Sequence, residues 1–590
     1  MTSVIVDDRP DCDGPPDPAG SSEQNRRRVE LDLGDRLAVL AWPGAAWLAA
    51  LLVVAPVAFL ATSILSPRGD VWRQQWETRL PGELVQTVVL LAGVSIGTLV
   101  LGVGFAWLTS AYRFPGSRLF GWLLISPLAM PSYVLGFVTL SVIGFTGPLQ
   151  GWWRAQFGAD AWFPDVRSMG GAIAVFSLVL YPYVFLLARA ALRDQAGAAF
   201  EAARTLGAGP LEAARRVVLP QLRPAIAAGV AVVMMETLTD FATVQYFDVD
   251  TVSVGVFRIW RGTFDRDAAS EIATLVLAFA LAVIGIERLL RGRARFGEAA
   301  GRASGIVPRP LSGMRAGVAT GLCTVVFALS FLLPSIQLVV WAVERARSDN
   351  GTPVTERFGD FLYHSLLLAT ICAVICAVVA MVVTNASRFG HRRSTGLAAR
   401  LTAVGYAVPG PVVAIGVLLA LVALDDALER IGLGLPGVAA TGSFLGLVYA
   451  YSVRFMAPAL NAAEAGLDQV SVDMTASART LGHRPSSIMA RIHFPLSRTS
   501  LATALVLVTI DALKELPIVL LLRPFGFDTL SVWTFNLASE SRFEQAALPA
   551  LTIVVFALIP VAVLSLSLNA RSDAAAAAER ATAPAGEGLL

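Results

Sequence analysis

Apolar runs of about 20 residues, each long enough to cross ~30 Å of hydrocarbon, recur along the whole 590-residue chain. In lipid every backbone N–H and C=O needs an internal partner, so runs of this length and number dictate transmembrane helices and exclude a water-soluble fold. Charged residues make up 15% of the chain, against ~25% in soluble proteins. Twelve spans are predicted. Six lie near 39–65, 84–109, 118–146, 169–192, 224–246 and 269–290, and six near 317–343, 361–386, 400–424, 441–463, 499–521 and 545–568.

The polar remainder gives an orientation. Residues 1–37 are acidic and Pro/Gly-rich, read as a disordered segment rather than a secretory signal. Residues 291–315 are a polar, Arg-rich linker, and 569–590 an Ala-rich tail. Placing both termini in the cytoplasm puts 26 Arg in cytoplasmic segments and 14 in outside loops, as the positive-inside rule requires. The predicted organisation is a first half over 38–290 (core 84–290), the linker, and a second half over 316–568 (core 361–568).

The halves repeat one another. "EAARTLGAGPLEAARRVVLP" at 201–220 is echoed by "ASARTLGHRPSSIMARIHFP" at 476–495, an offset of 275. At that offset "METLTDF" (235–241) meets "IDALKEL" (510–516), "LTSAYRF" (108–114) resembles "VTNASRF" (383–389), and further on "DTVSV" (250–254) resembles "DTLSV" (528–532). Six spans per repeat keep both copies in one orientation, so the repeat is parallel, with a pathway expected between the halves.

The stretch at 201–220 reads as a helix containing Glu201, Ala202 and Ala203, with Leu206 on its apolar side. Gly207 bends the chain, Pro210 opens a second helix through Leu211, Ala214 and Val218, and Pro220 ends the unit. Arg204, Arg215 and Arg216 are expected to face outward. Gly482, Pro485 and Pro495 take the same places in the second copy. A single Arg-rich loop could be an ordinary topology signal lying on the membrane; two in-phase copies point to docking on a two-fold partner.

Glu201, Ala202, Ala203, Gly207, Val217, Leu219 and Pro220 have the spacing of the EAA loop, and the chain resembles the permeases of binding-protein-dependent ABC importers (type I). That resemblance implies an all-α integral membrane protein of two tandem six-helix halves in the bacterial plasma membrane. It also implies two copies of an ABC ATPase docked at the loops and an extracytoplasmic solute-binding protein. Ala478, Gly482, Ile492 and Pro495 fit the pattern in the second loop; Ala476, Ser477 and Phe494 depart from it. Residues 235–269 and 514–551 are similar to the fused permeases of ferric-iron importers, which implies Fe3+ as cargo. Fused permeases for thiamine, phosphonates or other solutes share the architecture.

Within the membrane, Glu236 and Asp240 in one half match Asp511 and Glu515 in the other, each pair read as i and i+4 on one helix. Lys514 stands beside the second pair, and Arg454 lies in another span with Asp511 or Glu515 as its expected counter-charge. Two readings stand. The acids line a pathway for a cationic solute, or they lock helices together and cap the ends of a broken helix. Pro131 and Pro411 are expected to kink the third spans around a cavity.

Lys514 is the single lysine among 46 basic residues and has no glycine-rich turn before it, so the chain has no phosphate-binding loop. ATP and Mg are therefore expected on the partner, with no cofactor and no catalytic group in this chain. Cys372 and Cys376 read as small packing residues, and no His/Cys spacing resembles a metal site. An ion-coupled secondary transporter would account for the membrane acids but leaves both loops without a purpose.

Overall fold

The computed structural model describes residues 41–62, 69–194, 197–263, 266–291, 308–347, 354–389, 392–432 and 440–559, together with residue 561. Segment 1–37, residues 292–307 of the linker and the tail 569–590 lie outside the described residues.

The first half comprises α1 (Ala41–Thr62), α2 (Leu80–Ala111), α3 (Ser132–Ile143), α4 (Met169–Asp194), α5 (Gly197–Thr205), α6 (Leu219–Thr239), α7 (Val252–Thr263) and α8 (Arg266–Arg291). The second comprises α9 (Gly313–Phe327), α10 (Leu333–Arg347), α11 (Val354–Phe389), α12 (Gly410–Arg430), α13 (Phe444–Asp468), α14 (Val472–Thr480), α15 (Phe494–Lys514) and α16 (Leu530–Ser539), then α17 (Phe543–Ile559). Among the described residues, ten helices are long and apolar enough to cross a membrane, and each overlaps a predicted span. The span predicted at 441–463 is α13, whose apolar residues are diluted by Arg454, Asn461 and Glu464. The last predicted span overlaps α17, whose described part ends at Ile559.

The third span of each half is interrupted rather than kinked. A short helix (Ser117–Leu123) and a 3-10 turn (Ser126–Ala129) precede Met130, which is extended at φ −90°, ψ 114°, and Pro131 then leads into α3. In the second half Val408 is extended at φ −91°, ψ 101° after the 3-10 turn Val404–Ala407. Pro409 precedes α12, and Pro411 sits in its first turn. A residue before proline is pushed out of the helical region, and proline's missing N–H is tolerated at a helix start. The matched break therefore belongs to Pro131 and Pro409, and Pro411 begins a helix where a kink was expected.

Proline also shapes the loop-to-membrane transition, against expectation. Pro220 and Pro495 do not end their units. Each follows a single π-turn, Ala214–Val218 and Met489–His493, closed by Leu219 N–H to the Ala214 carbonyl and Phe494 N–H to the Met489 carbonyl. The chain then runs on as α6 and α15. Proline inside a regular helix loses one hydrogen bond and clashes with the preceding turn; the widened turn accommodates the ring. The same device stands at Ala328–Leu332 before Pro334.

The first helix of each half packs on the opposite half. From α1, Trp42 meets Phe389 with ring centroids 5.6 Å apart, Trp47 Nε1 donates to Ser394 Oγ at 2.9 Å, and the Leu52 carbonyl accepts from Tyr449 Oη at 2.6 Å. In return α9 buries Ala316, Ala319 and Cys323 in a cluster with Phe105, Phe114 and Phe120. Just before α9, β2 (Arg309–Pro310) pairs in parallel with β1 (Tyr112–Arg113), and Leu311 N–H donates to the Arg113 carbonyl at 2.8 Å.

Within the first half, α2 and α4 approach through small residues. A Cβ added at Gly97 would lie 2.1 Å from Ser177 Oγ, and one at Gly102 2.7 Å from Val184 Cβ. The matching crossing in the second half uses Cys372 and Cys376, whose sulfurs lie 3.9 Å apart, with Cys376 Sγ 3.7 Å from the Ser452 carbonyl. The cysteines are thus the small packing residues that their spacing indicated. Gly97→Leu is expected to force α2 from α4 at a cost of about 1–3 kcal/mol, read as a lower melting temperature of the detergent-purified protein. Unchanged melting would contradict the close crossing.

Candidate functional site: a charged cavity between the halves and two matched loops

Helices α6 and α15 both stop inside the bundle. α6 ends at Thr239, where Asp240 leaves the helix at φ −85°, ψ 103°. α15 ends at Lys514, where Glu515 leaves it at φ −66°, ψ 127°. The expectation that Glu236 and Asp240, or Asp511 and Glu515, share one continuous helical face is therefore corrected: the second acid of each pair stands at the break. Short helices restart just beyond each break, at Ala242–Tyr246 and at Pro517–Leu522, the second with Pro517 at its first position, where a missing N–H is tolerated.

Each of these acids caps the restart. Asp240 Oδ1 accepts from Thr243 N–H at 2.8 Å, and its Oδ2 accepts from Thr243 Oγ1 at 2.6 Å and from Ser132 Oγ. Glu515 Oε1 accepts from Ile518 N–H at 3.3 Å. The freed carbonyls are met by the repeated DT-SV motifs: Ser253 Oγ donates to the Leu238 carbonyl at 2.5 Å and Ser531 Oγ to the Glu515 carbonyl at 2.9 Å. The same motifs are pinned to the long helices. Val252 N–H donates to Thr87 Oγ1 at 3.0 Å and Leu530 N–H to Ser365 Oγ at 2.8 Å.

Glu236, Asp240, Asp511, Lys514, Glu515 and Arg454 all line one cavity of about 90 Å³, together with Ser132, Tyr133, Tyr183 and Tyr406. Both halves contribute to its wall. Arg454, 1% exposed, comes from α13 and donates through Nη1 to the Tyr406 and Val408 carbonyls at 3.2 and 2.6 Å. Its Nη2 crosses to the first half, reaching Thr239 Oγ1 at 3.1 Å and Glu236 Oε1 at 3.7 Å. The carboxylate in ion-pair contact with Arg454 is thus Glu236 of the first half, where Asp511 or Glu515 was expected. Lys514 Nζ pairs with Asp511 Oδ1 at 2.8 Å. Among the described residues no three His, Cys, Asp or Glu side chains gather as a metal site.

The two loops lie at the far ends of α6 and α15, helices of 21 residues each, or ~30 Å at 1.5 Å per residue. Gly207 has φ +92° and Gly482 φ +80°, the left-handed conformation that closes a helix C-terminus. Ala208 N–H bonds the Ala203 carbonyl at 3.1 Å and His483 N–H the Ala478 carbonyl at 3.1 Å, the same closing bond in both loops. Ala203 packs against the cluster holding Phe200, Ala213 and Val218, and Ala478 is buried with Ile488 and Phe389, Ile492 beside them. Ala202 is exposed, and Glu201 Oε1 lies 4.0 Å from Arg309.

Two sequence expectations fail here. Leu206 was expected on the apolar side of its helix but is 88% exposed, and its counterpart Leu481 is 77% exposed. Arg204, expected to face outward, folds back so that Nη1 donates to the Ala208 carbonyl at 2.7 Å. The in-phase repetition of leucine just before the turn glycine was the available signal for an exposed apolar tip.

This architecture, a two-sided helical bundle with a charged cavity on its seam and matched loops beyond it, is that of a multi-pass membrane permease. The chain belongs to the family of binding-protein-dependent transport system inner membrane components, whose model matches residues 98–288 and again 369–576. It is an ABC-type importer permease of the inner membrane. It is 24% identical over 493 residues to the Fe(3+)-transport system permease protein FbpB 2 of Haemophilus influenzae, covering 82% of this chain and 90% of that one. It is 32% identical over 232 residues to the sulfate transport system permease protein CysT of Salmonella typhimurium, covering 38% of this chain and 82% of that one. A putative 2-aminoethylphosphonate permease, PhnU of Salmonella choleraesuis, matches at 28% over 221 residues, covering 36% of this chain and 77% of that one.

Asp240→Ala removes the cap of the restarted helix and is expected to cost about 1–2 kcal/mol, lowering the melting temperature in detergent. Asp240→Asn keeps an acceptor for Thr243 and should retain most of the stability. Equal melting of the Ala variant and the parent would show that the carboxylate does not hold the break.

Proposed function

We propose that this chain forms the membrane pathway for ferric iron in an ATP-driven importer, with cargo delivered by an extracytoplasmic binding protein. The observation that carries the proposal is the convergence of both halves on one cavity that holds four carboxylates against two cations. That balance favours a cationic solute, and carboxylate and hydroxyl oxygens suit a hard cation. The Fe(3+) relative, which aligns over most of the chain, supports iron. A second reading, an oxyanion such as sulfate, is supported by the sulfate relatives and by Arg454 and Lys514 in the same wall.

The loops at Glu201–Pro220 and Ala476–Pro495 dock on two copies of a separate ATPase that holds ATP and Mg, and both termini face that side. Leu206 and Leu481, bare apolar side chains on rigid turns, enter the ATPase clefts, with Gly207 and Gly482 shaping the turns. Closure of the ATPase pair draws the loops together, and α6 and α15 carry the movement to the cavity. Opening the seam parts Arg454 from Glu236 and Thr239, exposes the cavity to the binding protein, and exchanges this contact for contact with the solute. ATP hydrolysis restores it.

Vesicles containing the reconstituted complex should take up labelled Fe3+ in preference to labelled sulfate or aminoethylphosphonate; preferential sulfate uptake would replace the iron reading. Glu236→Gln is expected to lower Fe3+ uptake about tenfold, the effect of one charged contact of ~1.5 kcal/mol, with ATPase binding unchanged. Unimpaired uptake would remove Glu236 from the pathway. Leu206→Glu with Leu481→Glu should abolish co-purification of the ATPase without lowering melting, since neither leucine packs on this chain. Retained co-purification would sink the docking assignment.

A further inference from the structure

The two loops are fastened to their helices by different chemistry. In the second half His493, on the π-turn between loop and membrane helix, is fully buried, as is Asn385 on α11, and Thr475 on α14 is 6% exposed. His493 Nδ1 lies 2.5 Å from Asn385 Oδ1, and its Nε2 lies 3.0 Å from Thr475 Oγ1. Asn385 Nδ2 donates to the Met381 carbonyl at 2.8 Å, which leaves Oδ1 as the acceptor facing the imidazole. Nδ1 therefore carries the proton, Nε2 accepts from the Thr475 hydroxyl, and one directed chain of hydrogen bonds runs from the loop helix to α11. Phe389 stacks on the imidazole with centroids 5.6 Å apart and planes at 13°.

At the offset of 275 the first half places Phe200, Val218 and Ser110 where the second has Thr475, His493 and Asn385. Phe200 and Val218 are buried in an apolar cluster, Phe200 meets Trp107 edge-on at 5.7 Å, and Ser110 Oγ, buried, has no hydrogen-bond partner. Among the described residues no directed polar link joins that loop to α2. Its polar fastening comes instead from outside the repeat, through Arg309 of the linker, 4.0 Å from Glu201. Ala476 in the second loop has no carboxylate to offer such a partner. Apolar contact tolerates small shifts in register, whereas a hydrogen-bonded relay among buried groups has one geometry and is costly to leave unmade.

We propose that His493 is a positioning residue that locks the second docking loop to α11 and α15, so that the two loops transmit ATPase movement unequally. This rests on the reading of the loops as ATPase docking sites. The test uses the full chain with its ATPase and binding protein in vesicles, measuring Fe3+ taken up per ATP hydrolysed. Thr475→Val keeps side-chain shape but removes the hydroxyl, and His493→Val installs the first-half residue. Each is expected to lower the uptake-to-ATP ratio about threefold or more while the ATPase still co-purifies. His493→Gln, whose amide offers a donor and an acceptor in the imidazole's places, is expected to return the ratio to within about twofold of the parent. A merely space-filling role would not follow that pattern.

Unchanged coupling in both Val variants, or a Gln variant as impaired as His493→Val, would overturn the proposal. Should His493→Val fail to fold, the comparison of Thr475→Val with His493→Gln decides it alone. If the Leu206/Leu481 double variant keeps its ATPase, the docking reading itself falls. If that variant loses its ATPase while Thr475→Val and His493→Val couple normally, the anchoring inference alone falls.

Discussion

Where α6 and α15 stop inside the bundle, the backbone gives up helical hydrogen bonds in a setting that has no bulk water to replace them. Everything around the cavity answers that need. Asp240 and Glu515 supply acceptors to the N–H groups of Thr243 and Ile518, and Ser253 and Ser531 supply donors to the freed carbonyls. Arg454 does the same for the interrupted third span, holding the carbonyls of Tyr406 and Val408. The groups that line the cavity are therefore largely those that make its irregular walls possible. Asp240 and Glu515 cap the restarted helices, while Glu236 and Asp511 stand one turn earlier and pair with cations.

This arrangement links cavity and loops mechanically. An α-helix transmits displacement along its axis, and α6 and α15 each run unbroken from loop to cavity once the π-turn has absorbed the proline. The exchange of first helices, α1 onto the second half and α9 onto the first, leaves neither half with an independent surface at the seam. The halves cannot separate without stripping α1 and α9 from apolar partners, a loss scaling at ~25 cal/mol per Å².

Much of this was legible in the chain. The places of the apolar helices followed from hydrophobic length, the parallel repeat from the offset of 275, and the turn glycines from the motif at 201–220, because each depends on local pattern. What misled was continuity. An i,i+4 pair of acids implies one helical face only if the helix continues, and Asp240 lies one residue past its end. Leu206 fits an amphipathic pattern, yet the turn at Gly207 lifts it off the bundle. Pro220 and Pro495 are ordinary stop signals that a π-turn converts into through-helix positions.

By itself the sequence determined a helical membrane protein with two like halves and two like loops, since hydrophobic period, repeat spacing and turn glycines are one-dimensional quantities. Only the tertiary structure decided which charges meet. Arg454 lies 218 residues from Glu236, and the hydrogen-bonded set of Thr475, His493 and Asn385 comes from three separate segments. Such pairings are set by where helices break and cross, and breaks inside a bundle are stable only when distant side chains satisfy the exposed backbone.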